Sequence, residues 1–593
     1  MKRKLFYFVV GFIILFICSC KKEFNKENYQ VAFAKVFGYV KYFHPSDESV
    51  QIDWDKFAIY GISQIENCKT EEEVIKTMDN LFKPIAPSIK FSKNIDSFDP
   101  KLKILIPENT IEYQLTYWKH LGVGTGMSNT GEAYGSIRHN RGEKEKEVQL
   151  FDYEMKFGES ITKEIANGLF CQIPIVLFCN NEHTFPLGDE EKLKILNKKL
   201  SKIDIKQSDN LFLRVGNVIT VYNIFQHFYP YFDVVNVDWE KELRIALKAS
   251  YLDKNNNDHL STLEKFTAKL NDGHIWVGNN NNKNDYTPSI DWEWIEGKLV
   301  ITEVFNDEYF IKNGDVVSHI NEVDANKYFN EVKENISAST EGYLNYRAQR
   351  KSLSGKFGSI INLRINGDNV ELKRFTNPHK DDELRKKSKR GYREIEEDIW
   401  YLNLDLVEMD TIKKIFPELN NSKAIICDLR GYPNGNDGFI NHLMEIDDTS
   451  KSWMQSPMIV YPNHNNSNVV GYQKYNWIEA KKALKPYFGN KNIVFITDGR
   501  AISYAESYLS FIKGYRLATI VGQPTAGTNG NVNSFYLPGG YYIYWTGMKV
   551  LKHDGSQLHG IGILPDVYVK KTIKGIKEGK DEFLDKALEI ARL

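Results

Sequence analysis

The chain has 593 residues, 77 basic and 78 acidic side chains, and a formal net charge of −1. Apolar residues make up 42% and charged residues 26%, an ordinary globular balance over a length that suits roughly three or four domains. The near-zero charge argues against the basic surface that nucleic acid or a polybasic membrane contact requires, so no nucleic-acid partner is expected.

At the N-terminus, Lys2-Arg3-Lys4 leads into the apolar run Leu5 to Ile17 and then Cys18-Ser19-Cys20. A basic start, a short apolar run and small residues at the cleavage point predict a secretory signal over residues 1–20. The run is too short to span a bilayer comfortably. Ile17-Cys18-Ser19-Cys20 resembles a bacterial lipobox, which implies lipidation at Cys20, a membrane tether, and residence at the cell envelope, in the periplasm or on the outer-membrane surface. Of the remaining cysteines, Cys68, Cys171, Cys179 and Cys427, none shows CxxC spacing, so no zinc site or other cofactor is expected. Cys171 and Cys179 are read either as a disulfide or as free buried thiols.

Two segments echo each other at an offset of about 185 residues. Val36 to Pro45 is followed by Asp53-Trp54, and Val221 to Pro230 by Asp238-Trp239. Each has apolar residues at helical spacing, a proline stop and a second helix starting near Asp-Trp. The pattern predicts helical units over 28–95 and 209–283; the second runs on to His274, and the first has no histidine at the matching place. Between them, residues 100–205 read as a β-rich accessory region, with Ile173 to Cys179 as a strand and Pro174 at its start or on a sheet edge. Asp253, Asn255, Asn257 and Glu264 match a calcium-loop spacing, but Asp258 stands where that loop needs glycine, so an Asn-rich connection between helices is preferred.

Residues 286–376 read as a compact β-rich module, with strands at Lys298 to Val304, Ile360 to Ile365 and Val370 to Phe375, the last two around the turn Asn366-Gly367-Asp368. Gly314-Asp315-Val316-Val317 with its following Ile-Asn turn resembles a PDZ domain, which implies binding of a peptide as an added strand. The usual carboxylate loop is not evident near Thr287-Pro288-Ser289-Ile290. Residues 376–394 read as a charged linker, and the core occupies 395–593.

In that core the apolar strand Ile493 to Ile496 runs into Asp498-Gly499-Arg500-Ala501-Ile502-Ser503 and a helix ended by Gly514. Ser503 therefore sits at a strand-to-helix corner, where its Oγ is rigidly presented and the N–H groups of the helix start can stabilise an oxyanion. Ser503 and Glu506 also match a capping box, the structural alternative. Ala424 to Asp428 and Ala518 to Val521 are further buried strands that run into glycine loops. Parallel strands with loops gathered at their C-terminal ends form sites there, and the Gly431 and Tyr504 N–H groups are the candidate oxyanion hole.

Four segments in order, Asp428-Leu429-Arg430-Gly431, Ser503-x-Ala505-Glu506, Val521-Gly522-Gln523-Pro524-Thr525-x-Gly527 and Gly560-Ile561-Gly562-Ile563-Leu564-Pro565-Asp566, resemble the C-terminal processing (tail-specific) proteases and their tricorn-core relatives. The resemblance implies an α/β, crotonase-like (ClpP-like) core and peptide-bond hydrolysis with Ser503 as nucleophile. The processing proteases place a lysine base where Thr528 stands. The tricorn-like branch uses a histidine, which implies His274 in Asp272-Gly273-His274. That branch also has a serine before the histidine and a glutamate before the last segment; here these are Gly273 and His559. Asp272, Asp554 and Glu506 are candidate orienting acceptors, and His559 is either a second catalytic histidine or a loop residue. The expected function is a serine endopeptidase acting on peptide or protein tails at the envelope. A catalytically inactive peptide-binding relative is the alternative, and an acyl hydrolase of other substrates a third.

Overall fold

The computed structural model describes residues 24–122, 135–141, 154–206, 210–282, 286–305, 310–377, 391–449, 453–459, 471–475 and 481–593. The leader and Cys20 lie outside the described residues.

Helices α1 (Lys26–Phe43) and α2 (Trp54–Glu66) recur as α3 (Leu211–Phe228) and α4 (Trp239–Leu252). Asp53 caps α2 through the Lys56 N–H, and Asp238 caps α4 through the Lys241 N–H, which is why each second helix starts at Asp-Trp. The two copies pack on each other. A Cβ at Gly38 would lie 1.8 Å from Asn223 Oδ1, and Asn223 donates to the Ala34 carbonyl at 2.9 Å. Gly38 and Asn223 hold equivalent places in the echo, so α1 and α3 cross at matching positions. Helix α5 (Asn256–Ala268) follows, its cap Asn255 accepting the Asn257 and Asp258 N–H groups. Asp253 is held by His259 and Thr262, and Glu264 by Lys351; these carboxylates of the calcium-like spacing serve helix contacts.

The accessory region holds short antiparallel sheets and a helix at Glu190–Leu200. The apolar run at 173–179 is two strands, correcting the single strand expected. Leu169–Pro174 ends where proline has no N–H to continue the ladder, and Leu177–Cys179 belongs to another sheet. Cys171 and Cys179 are both free and buried, which removes the disulfide reading.

Strand β1 (Trp276–Asn279) follows His274 directly. A six-stranded antiparallel sheet comes next, in the order β2 (Ile290–Ile295), β3 (Lys298–Val304), β4 (Val316–Ile320), β5 (Ile360–Ile365), β6 (Asp368–Lys373), with the short strand Val323–Asp324 on β4. Helix α6 (Glu341–Leu353) packs on β2. The final hairpin begins at Asp368, earlier than the expected Val370, because Asn366 and Gly367 both adopt positive φ and close a tight turn.

The C-terminal sheet runs β7 (Tyr392–Glu396), β8 (Ile399–Asn403), β9 (Ala424–Asp428), β10 (Asn492–Thr497), with helix α7 (Tyr504–Gly514) and then β11 (Thr519–Gly522). Only β7 is antiparallel. It takes up residues 392–394, which the sequence pattern assigned to a linker. The hairpin β12 (Val532–Leu537) and β13 (Tyr541–Thr546) leaves this sheet and pairs with β1. Its Phe535, Ile543 and Trp545 are buried in the core of the helical units. Strand β14 (Val567–Tyr568) closes the parallel sheet, and α8 (Glu582–Ala591) covers the face opposite α7.

Candidate active site

Loops after β9, β10 and β11 gather at the C-terminal edge of the parallel sheet. Ser503 lies in the second, with φ 59° and ψ −115°, a conformation that costs an L-residue about 1–3 kcal/mol. It is held from both sides. Its N–H donates to the Thr528 carbonyl at 2.9 Å, and its carbonyl accepts from the N–H groups of Glu506 and Ser507. Its side chain makes no capping bond. The hydroxyl half of the capping box is therefore absent, and a half-buried Oγ stands on a strained strand-to-helix corner, a recurrent way to present a nucleophile.

Glu506, one helical turn on, is fully buried. Its carboxyl oxygens accept the Gly527 and Thr528 N–H groups at 2.7 and 2.8 Å and the Thr525 hydroxyl. Burial pushes its pKa up to about 8 against the pull of those hydrogen bonds. Glu506 thus fixes the 525–528 loop rather than orienting a histidine. Thr528 in turn joins two loops. Its carbonyl takes the Ser503 N–H, and its hydroxyl accepts the Gly273 N–H at 2.9 Å and contacts the Ser339 hydroxyl. A Cβ at Gly273 would lie 2.8 Å from the Thr528 hydroxyl and 3.0 Å from the Tyr343 ring, which accounts for glycine before His274.

His274 Nδ1 lies 2.9 Å from Thr546 Oγ1. The Thr546 hydroxyl donates to Asp272 Oδ1 at 2.7 Å, and the Thr546 N–H to Asp272 Oδ2 at 2.8 Å. The His274 N–H also donates to Asp272 Oδ1, at 3.0 Å. Burial lowers the His274 pKa, Asp272 raises it, and Arg347 lowers it. The Arg347 guanidinium sits 4.6 Å over the ring of Trp276, which is 49% exposed.

The other candidate acceptors lie elsewhere. Asp554 is in an exposed turn, bound to the Ser556 N–H. His559 is buried, its ring stacked on Tyr231 at 3.8 Å, and burial pulls its pKa down to about 4. Across the site, Tyr432 and Tyr504 have ring centroids 6.1 Å apart, so the Gly431 loop adjoins the start of α7. A Cβ at Gly431 would meet the Asp405 carboxylate at 2.8 Å. Among the described residues no group of His, Cys, Asp and Glu is arranged to hold a metal ion. A cleft of about 1200 Å³ lies beside the site, between Trp292 and Glu293 of β2, Tyr346 of α6, and Arg500, Pro524 and Lys571 of the core. Neither Ser503 nor His274 lines it.

Sequence reasoning singled out Ser503, His274, Gly431, Tyr504 and Asp272, but not Thr546. That threonine arrives on a hairpin more than 270 residues away in the chain, with no local signal to mark it. In the sequence Thr528 reads only as a missing lysine; its role as a tie between loops is three-dimensional.

Residues 398–569 match the family model of peptidase family S41. That match assigns residues 398–569 to the family. All four segments that carried the resemblance, from Asp428 to Asp566, fall inside the match. With this match over its C-terminal core, the chain is a serine-type peptidase. Among solved structures it is similar to mature CPAF, with a TM-score of 0.50 at 14% identity over 64% of this chain and 98% of that one. A CPAF mutant gives 0.52 at 15%, over 64% and 98%. Mature CPAF complexed with lactacystin gives 0.50 at 13%, over 64% and 99%. At these identities the likeness concerns the fold. No curated protein matches the chain in sequence.

Proposed function

We propose that the chain is a serine endopeptidase that cleaves peptides or protein tails at the cell envelope, with Ser503 as nucleophile and His274 as general base. The observation that carries this reading is the strained Ser503 corner bonded, through the single residue Thr528, to the turn that bears His274. Ser503 Oγ attacks the scissile carbonyl carbon while His274 Nε2 takes its proton. The N–H groups of Gly431 and Tyr504 hold the oxyanion. Collapse breaks the C–N bond, and the imidazolium returns the proton to the leaving amine, leaving an ester on Ser503. Water, deprotonated by the same imidazole, hydrolyses that ester and frees Ser503.

The module at 286–376 is read as PDZ-like. Its strand β2 lies at the edge of its sheet, and the groove between β2 and α6 opens into the cleft beside the core. A peptide added along β2 would be delivered toward the catalytic loops. Lipidation at Cys20 would place the enzyme on a membrane, with its substrate in the envelope.

The test is labelling of the soluble chain, starting after Cys20, with a fluorophosphonate probe. Labelling that disappears in Ser503→Ala and in His274→Ala supports the assignment. A folded wild-type chain that stays unlabelled and cleaves no peptide would overturn it in favour of a peptide-binding relative.

A further inference from the structure

We infer that Thr546, backed by Asp272, is the positioning group for His274, filling the role that the resemblance assigns to a glutamate at the place of His559. The inference rests on the reading of Ser503 and His274 as nucleophile and base.

A serine-activating imidazole needs its distal nitrogen free to accept a proton, so the other nitrogen must carry hydrogen and face an acceptor. The proton assignment follows from the acceptor inventory around Thr546. Asp272 Oδ1, 2.7 Å from Thr546 Oγ1, is a carboxylate oxygen and accepts the threonine proton. Thr546 Oγ1 is then left with lone pairs, and His274 Nδ1, at 2.9 Å, donates to it. The tautomer is thereby fixed as Nδ1–H, with Nε2 unprotonated. Asp272 is held in turn by the N–H groups of Thr546 and His274, and its own N–H donates to Ser337. Thr546 and Asp272 are both fully buried, so water does not compete for these bonds.

When His274 takes the Ser503 proton it becomes imidazolium. The added charge strengthens the Nδ1–H bond to Thr546, and that charge is felt by the Asp272 carboxylate one bond further on. No proton reaches Thr546 or Asp272. The proton stays on Nε2 until the leaving amine takes it. A hydroxyl between imidazole and carboxylate thus does what a directly bonded carboxylate does in a Ser-His-Asp site. This leaves His559 free to be the buried, stacked residue it is.

The experiment compares fluorophosphonate labelling rates across pH for the wild-type chain, Thr546→Val, Thr546→Ser and Ser503→Ala, with 15N NMR of His274 in the first two. Thr546→Val should label on the order of 100-fold more slowly, the scale of a general-base contribution, and Thr546→Ser should return to within a few-fold of wild type. Loss of an acceptor for the imidazolium should also move the acidic limb of the Thr546→Val profile to lower pH, which a purely structural threonine would not do. The wild-type His274 spectrum should report the Nδ1–H tautomer. Wild-type rate and limb in Thr546→Val, or an Nε2–H tautomer in the wild type, would overturn the relay; the tautomer decides alone if Thr546→Val does not fold. Persistent labelling of Ser503→Ala would instead sink the underlying assignment, so the two failures are distinct.

Discussion

The amide of Gly273 donates to the hydroxyl of Thr528 at 2.9 Å, where the processing proteases are expected to carry their lysine. The position that supplies a base in those proteases here anchors the turn that carries His274, the proposed base. Replacing it with lysine should therefore not create a working Ser-Lys pair. Thr528→Lys would take the acceptor from Gly273 and press into the Ser339 hydroxyl, at a cost of about 1–3 kcal/mol for the buried N–H left unpaired. We expect loss of labelling and a lower Tm for Thr528→Lys, and near-normal behaviour for Thr528→Ser. Labelling of Thr528→Lys at the wild-type rate would show that the loop tie is dispensable.

The helical repeat predicts a stability effect far from the chemistry. A methyl group at Gly38 would overlap Asn223 Oδ1, and the Asn223 side chain is fixed by donating to the carbonyls of Ala34 and Ile219. Gly38→Ala should destabilise the chain by about 1–3 kcal/mol through forced separation of α1 and α3, despite alanine's better helix propensity. Urea unfolding would detect it; a gain in stability would mean the crossing relaxes freely.

Much of this architecture was legible in the chain because its signals are local. The Asp-Trp helix starts are capping interactions, the strand Ala424 to Asp428 is a continuous apolar run, and Ser503 stands where strand pattern changes to helix pattern. What stayed hidden depends on pairing between distant segments. The hairpin Val532 to Thr546 reads as part of the core, yet its partners are β1 and the helical units. Thr546 is an unremarkable strand threonine until that pairing sets it against Asp272. Capping chemistry also misleads at Ser503, where the sequence fits a capping box but the positive φ turns the hydroxyl away from the helix.

Glu506 should make stability fall as pH rises. Its pKa is about 8 in the folded chain against an ordinary 4.5, so between those values the folded state keeps a proton that the unfolded state has released. The contribution is fully present below about pH 4.5 and is lost by about pH 8, amounting to a few kcal/mol at most. Unfolding midpoints measured across this range should decline, and the decline should be shallower in Glu506→Gln. That variant should also be less stable at low pH and label poorly, because an amide cannot accept at both oxygen positions from Gly527 and Thr528. A flat midpoint in the wild type would show that Glu506 is ionised throughout.

Arg347 offers a test of the charge around His274, the proposed base. Burial and the Arg347 guanidinium both lower the His274 pKa, and Asp272 opposes them. Arg347→Gln removes one lowering influence, so the His274 pKa should rise and the acidic limb of the labelling profile should move to higher pH. The direction is opposite to that expected for Thr546→Val. A limb that does not move would mean that solvent screens the pair.

His559 provides the sharpest contrast with the family pattern. Its ring lies flat on Tyr231, and its pKa of about 4 leaves it neutral at working pH. Neither ring nitrogen meets the His274 ring in a hydrogen bond; the partner of His274 Nδ1 is Thr546. A stacked aromatic is therefore the role to preserve. His559→Phe should keep the labelling rate within about threefold and hold stability within about 1.5 kcal/mol, the usual range for a shape-conserving core swap. His559→Ala should lose stability through the cavity it opens while its remaining folded fraction still labels. A folded His559→Phe chain with labelling down by 100-fold or more would make His559 a second catalytic histidine.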